Sequence, residues 1–271
     1  HGPDKLWDSA DLAACESRLA DGQNESGQQL QRRPGHNTKS AALARNPAHV
    51  LMQAVFLLTA LITRLHSFQV MQDRWAIGYR NGSISPDFTE ASWIHPPPGR
   101  IYADPFLTIW QKEPWIFFED YDGRRGHIAA SPLLEFEARP VIRMDWHLSY
   151  PFLIESEGEI FCIPEQHEAQ EVALYRCQKF PDDWKKETVL LDGFAGVDPT
   201  VIWSDGLWWM WVGEQSRRAR DNTFLFWAPA LTGPWREHRQ SPAIQRTDLA
   251  RPGGLPWRSP NGTCWMRPAQ N

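Results

Sequence analysis

From residue 73 onward the chain runs in short stretches where apolar and polar positions alternate, separated by Gly, Pro and Asp. A period of two is the signature of a strand with one buried face. The first such strand is read at "WAIGYR", 75–80. The pattern then recurs as a unit: "YADPFLTIWQKEPWIFFEDYDG" from 102, "LSYPFLIESEGEIFCIPEQHEA" from 148 and "GVDPTVIWSDGLWWMWVGEQSR" from 196. Each copy holds a Pro, an apolar strand, a polar turn, a second apolar strand and an acid. Pro105, Pro151 and Pro199 are spaced by 46 and 48 residues; Glu119, Glu165 and Glu214 are spaced by 46 and 49. A third strand follows in each, at 126–131, 172–177 and 223–230, and a degraded fourth copy is read at 251–270.

One small sheet cannot bury both of its faces, whereas sheets packed radially bury one another. A β-sandwich would not require matched motifs at this interval. The repeat therefore predicts an all-β fold, a five-bladed β-propeller over 73–271 that is truncated at its C-terminus. Ahead of it, "VLMQAVFLLTALITRL" at 50–65 predicts a helix over 49–66 with a connector to residue 72. That run is short of the roughly 20 residues a membrane span needs. Residues 1–48 are polar and read as a linker or disordered segment. No apolar signal core lies in residues 1–20, the chain starts at His1, and "MRPAQN" follows directly on a strand pattern. Both ends read as cut, and the cytoplasm is the expected compartment.

Composition narrows the function. The net charge of −5 is spread without a basic block, which argues against nucleic acid as a partner. The 15 Trp residues favour strands and large flat apolar surfaces. Cys15, Cys162, Cys177 and Cys264 form no Cys-x-x-Cys pair, so no cysteine zinc site is expected, and no histidine spacing suggests another metal. No phosphate-cradling glycine loop and no nucleophile elbow occur, and no cofactor is expected. Cys162 and Cys177 could face each other across a hairpin, a pairing the sequence leaves open.

In a propeller the innermost strand of each blade lines the central channel. The matched strand starts place Asp104, Tyr150 and Asp198 toward one cavity. Carboxylates meeting in one funnel are the equipment of glycoside hydrolysis, one activating water or attacking and another protonating the leaving oxygen. Asp-Pro is also a common turn element. Glu119, Glu165 and Glu214 end the second strands and reach either the channel mouth or solvent; Glu165 stands out for the His167 beside it. His127 opens a third strand. Trp209 shares a strand face with Trp211, opposite Trp208 and Met210, as a strand covered on both sides requires.

These segments resemble the blades of five-bladed propeller glycoside hydrolases of the family 43 type. "PPPGRIYADPFL" and "SYPFLIESEGEIFCIPE" are most similar to the propeller domain named after the N-terminal region of glucosamine inositolphosphorylceramide transferase. The resemblance covers 73–271. It implies a carbohydrate-active domain whose partner is a glycan or glycoconjugate, attached in a longer protein to a transferase or formyltransferase-like domain. It further implies Asp104 as general base. The position of the hydrolases' second Asp reads Ser149-Tyr150-Pro151, and the blade of their general-acid Glu opens on Asp198. The resemblance thus leaves two expectations. One is a rearranged catalytic set of Asp104, Asp198 and one of Glu165 or Glu214, Glu165 being preferred, with Tyr150, Glu119, Glu214, His127 and Trp209 contacting substrate. The other is a site that binds a glycan without cleaving it. A protein-interaction propeller is a third reading.

Overall fold

A computed structural model describes residues 75–81, 89–217, 219–259 and 261–270. The expected polar segment 1–48 and helix 49–66 lie outside the described residues. Three four-stranded antiparallel sheets carry the fold. The first comprises β3 (Ile101–Trp110), β4 (Glu113–Tyr121), β5 (Gly126–Pro132) and β6 (Arg139–Ile142) in that spatial order. The second comprises β7 (Ser149–Ser156), β8 (Glu159–Glu165), β9 (Glu171–Lys179) and β10 (Asp183–Asp192). The third comprises β11 (Gly196–Ser204), β12 (Leu207–Glu214), β13 (Phe224–Ala228) and β14 (Arg236–Glu237). Ahead of them β1 (Ile77–Tyr79) pairs with β2 (Ser92–Ile94).

The expected five-bladed propeller is corrected by this architecture. The described residues form six antiparallel sheets in a propeller-like fold, three of four strands and three of two. Their only helical turns are the three-residue 3-10 segments His167–Ala169 and Gln215–Arg217. The fourth repeat is a single interrupted hairpin: β15 (Arg251–Pro252) pairs with β18 (Ala269–Gln270), and β16 (Trp257–Arg258) pairs with β17 (Trp265–Met266) inside it. Pro252, Pro256 and Pro268 remove ladder donors there, and Gly253-Gly254 breaks the strand, so no full sheet forms.

Local chemistry explains the hairpins. Each inner strand turns through two residues with positive φ: Gln111-Lys112 (51° and 70°), Glu157-Gly158 (53° and 80°) and Asp205-Gly206 (53° and 80°). Positive φ at both central positions matches the right-handed twist of the flanking strands. Between blades, Phe106 of β3 packs edge-on against Tyr150 and Phe152 of β7, at 5.0 and 5.4 Å between ring centroids. Trp209 is fully buried within the third sheet. Cys162 pairs with Tyr175 and Cys177 with Trp184, so the two thiols do not face each other, and both are free.

Candidate functional site

The three X-Pro pairs are β-bulges, and all three are the same bulge. Pairing runs Ala103 to Glu119 and resumes at Phe106 to Phe117; Ser149 to Glu165 and resumes at Phe152 to Ile163; Val197 to Gly213 and resumes at Thr200 to Trp211. In each, two residues of the inner strand oppose one of its neighbour, so the proline's missing N–H costs no ladder bond. The residue before the proline is left-handed each time: Asp104 at φ 50°, Tyr150 at 44° and Asp198 at 51°. Such a conformation in a non-glycine residue is strained and persists only where packing fixes it. Its effect is to re-aim three side chains.

Asp198 is fully buried. Its Oδ2 accepts from Arg251 Nε and Nη2 at 2.8 Å each, and from Gln270 Nε2 at 3.3 Å. Glu165, also buried, accepts the Asp198 backbone N–H at 3.0 Å through Oε2 and meets His167 Nδ1 at 2.9 Å through Oε1. Burial pushes the Asp198 carboxyl well above the usual range, the Glu165 charge pushes the same way, and Arg251 opposes both. Burial acts on Glu165 too, but bonds from His167 and Asp198 outweigh it and hold that carboxyl below its ordinary value. The pair therefore keeps its charge on Glu165 and its proton on Asp198.

Asp104 stands apart. It is half-buried and lines a cavity of about 290 Å³ together with Trp75, Tyr102, Tyr150, Gly254 and Gln270. Burial raises its carboxyl to about 7, helped by the charges of Glu119 and Glu165 and opposed by Arg251 and the Tyr150 N–H. Tyr150 is almost fully buried; its hydroxyl lies 2.8 Å from Thr200 Oγ1 and accepts the Gly254 N–H at 2.9 Å. Glu119 lies 3.2 Å from His147 Nε2, whose Nδ1 accepts the Gly126 N–H at 3.0 Å.

The structure thus brings together Asp104, Tyr150, Asp198, Glu165 and, at the edge, Glu119. It does not bring in the other three. Glu214 pairs with Gly196, one residue beyond the position Glu119 and Glu165 occupy, where Gly213 stands. With a period of two, one step reverses the face, and Glu214 binds Ser216 Oγ at 2.7 Å instead. His127 pairs with Asp120 in the first sheet, on the face opposite Glu119. Trp209 is core.

Sequence reading missed Arg251 and Gln270, which lie in the degraded fourth copy, and Trp75 and Trp93. Trp75 is 53% exposed at the cavity, and Trp93 is 52% exposed. The Trp93 ring lies across Gly78, a cavity residue, with only 3.0 Å to where a Cβ would stand. A Gly directly opposite a Trp on paired strands is the signal that would have found it.

Four-stranded antiparallel sheets of this connectivity, each with a bulged inner strand, define a propeller-like fold. The fold is shared with two solved glycosidases. An exo-β-1,3-galactanase from Clostridium thermocellum superposes with a TM-score of 0.51 at 13% identity, covering 71% of this chain and 50% of that one. An α-L-arabinofuranosidase from Lactobacillus brevis superposes with a TM-score of 0.53 at 11% identity, covering 66% and 71%. At these identities the likeness is one of fold. The family model for glucosamine inositolphosphorylceramide transferase 1, N-terminal, matches residues 86–264, and the chain belongs to that family. Relatives named glucosamine inositolphosphorylceramide transferase 1 are 35% identical over 170 residues in Oryza sativa subsp. japonica and 31% identical over 169 residues in Arabidopsis thaliana. Each match takes in 58% of this chain but only 23% and 22% of the relative's length.

Proposed function

We propose that this domain binds a glycan or glycoconjugate at the Asp104 cavity without cleaving it. The observation that carries the reading is the division among the three expected catalytic carboxyls. Asp104 alone lines the cavity, while Asp198 and Glu165 are committed to Arg251, Gln270, His167 and each other. A hydrolase needs two carboxyls flanking the scissile bond at about 5–10 Å with both reaching the substrate. The Tyr150 hydroxyl is likewise committed, to Thr200 and Gly254. Exposed indoles beside a polar anchor suit the apolar face of a sugar ring, with Trp75 and Trp93 as the platform and Asp104 and Gln270 as hydrogen-bonding groups. In the longer relatives the region would serve as an accessory domain that presents a glycoconjugate to a linked transferase domain.

One observation favours hydrolysis as a second reading. A carboxyl near 7 exchanges its proton at neutral pH, as a catalytic acid or base does. A glycan panel distinguishes the two. The binding reading expects saturable binding with no release of reducing sugar, and about tenfold weaker binding for Trp75→Ala. Sugar release by the unaltered protein that disappears in Asp104→Asn would overturn it in favour of hydrolysis.

A further inference from the structure

A second cavity, of about 200 Å³, lies at the same end of the first sheet but on its opposite face. Its lining includes Arg100, Arg125, Arg143, Asp122 and His127. Three guanidiniums thus face one carboxylate, and that carboxylate is already engaged: Asp122 Oδ1 accepts the backbone N–H groups of Arg124 and Arg125 at 2.9 Å each. Behind the lining, Asp120 takes Arg100 in a two-pronged pair, Nε to Oδ1 at 2.7 Å and Nη2 to Oδ2 at 2.6 Å. Arg125 and Arg143 are exposed at the mouth.

His127 is the second, independent observation. Its side chain is only 10% exposed, and its Nε2 is buried without a hydrogen bond. The nearest acid, Asp120 Oδ2, lies 3.5 Å away and is held by Arg100. A buried polar nitrogen that makes no hydrogen bond is costly, and the 3.5 Å approach to Asp120 offsets that cost only in part. The cost is relieved when a ligand supplies the missing partner. Arginine forks fit the oxygens of a tetrahedral oxyanion.

We propose that this cavity binds a phosphate group, as a phosphomonoester or phosphodiester, with His127 at its floor and Arg125 and Arg143 closing over it. Arg100 is a positioning residue, fixed by Asp120 so that the floor stays in place. The inference does not rest on the glycan reading, since it concerns other residues on the other face of the sheet.

The test follows the His127 imidazole by NMR in the full chain at constant ionic strength. Inorganic phosphate is titrated in one arm, dimethyl phosphate in a second and chloride in a third. The expected result is a saturable shift with phosphate, absent with chloride, and weakened about tenfold in Arg125→Gln/Arg143→Gln. Both replaced residues are exposed, so the variant retains its fold. A response to phosphate alone marks a monoester site; a response to both phosphate probes marks a site that also admits diesters, such as a lipid head group. A shift equal to that with chloride, or unchanged affinity in the double variant, overturns the proposal.

Discussion

Asp104 shows how one side chain can carry information the sequence pattern supplies only in part. Its place at a strand start was legible from the repeat, because three X-Pro pairs recur at matched positions. Its proton affinity was not, because that depends on burial and on Glu119 and Glu165 approaching from other strands. The raised carboxyl makes a prediction about stability. In the unfolded chain the group titrates near 3.8, and in the fold near 7. The folded state thus holds this proton more tightly. Its contribution to stability is full below pH 4 and is lost as pH rises through 7. A shift of this size corresponds to about 4 kcal/mol. Asp104→Asn cannot ionise and should gain in stability relative to the unaltered protein as pH rises from 4 to 8. Denaturant midpoints across that range measure the difference, and a gap that stays constant with pH would rule out the assigned titration.

At the scale of the element, the bulge decides which acids meet. Strand identity and the three hairpins could be read from period-two alternation and from turns such as Asp205-Gly206. The exact pairing could not, although a trace of it was present. The prolines repeat at 46 and 48 while the acids repeat at 46 and 49. That single-residue mismatch places Glu214 one step off the position shared by Glu119 and Glu165, and one step turns a side chain to the other face. Glycines mark the same close packing. A Cβ at Gly126 would stand 2.6 Å from the Leu148 carbonyl, 2.7 Å from Glu119 Oε1 and 2.8 Å from His147 Cε1. The first contact is with backbone and has little room to yield. Gly126→Ala should therefore cost about 2–3 kcal/mol and part the Glu119–His147 pair. Thermal denaturation tests the first consequence and the His147 imidazole resonance the second. By contrast, Gly158→Ala meets no atom within 4 Å, and its cost comes only from its φ of 80°.

At the scale of the whole molecule, the interrupted hairpin of β15–β18 ties two blades together. Arg251 and Gln270 reach Asp198 in the third sheet, and Gly254 reaches Tyr150 in the second. This linkage was the least legible feature, because it joins residues up to 104 apart through a segment whose strand pattern is broken by prolines. It predicts a pH dependence around Arg251 and Asp198. Arg251 is the cation that restrains the rise of the Asp198 carboxyl. Without it, Asp198 remains protonated to higher pH, and ionising it in a fully buried place becomes more costly. Because the folded carboxyl already titrates above its unfolded value, its stabilising contribution is lost as pH rises, and removing the arginine deepens that loss. Arg251→Met should therefore cost about 1 kcal/mol at pH 5, where only hydrogen bonds are forfeited. At pH 9 the cost should reach about 3 kcal/mol, as for a buried charge deprived of its partner. Adding Asp198→Asn removes the group most strongly coupled to Arg251, so in the double variant the growth of the cost with pH should shrink to the part carried by Asp104, which Arg251 also restrains. Urea denaturation of the single and double variants at pH 5 and pH 9 measures this. A cost for Arg251→Met that does not grow with pH would mean the hairpin is held to the third sheet by packing, with the charge on Asp198 contributing nothing.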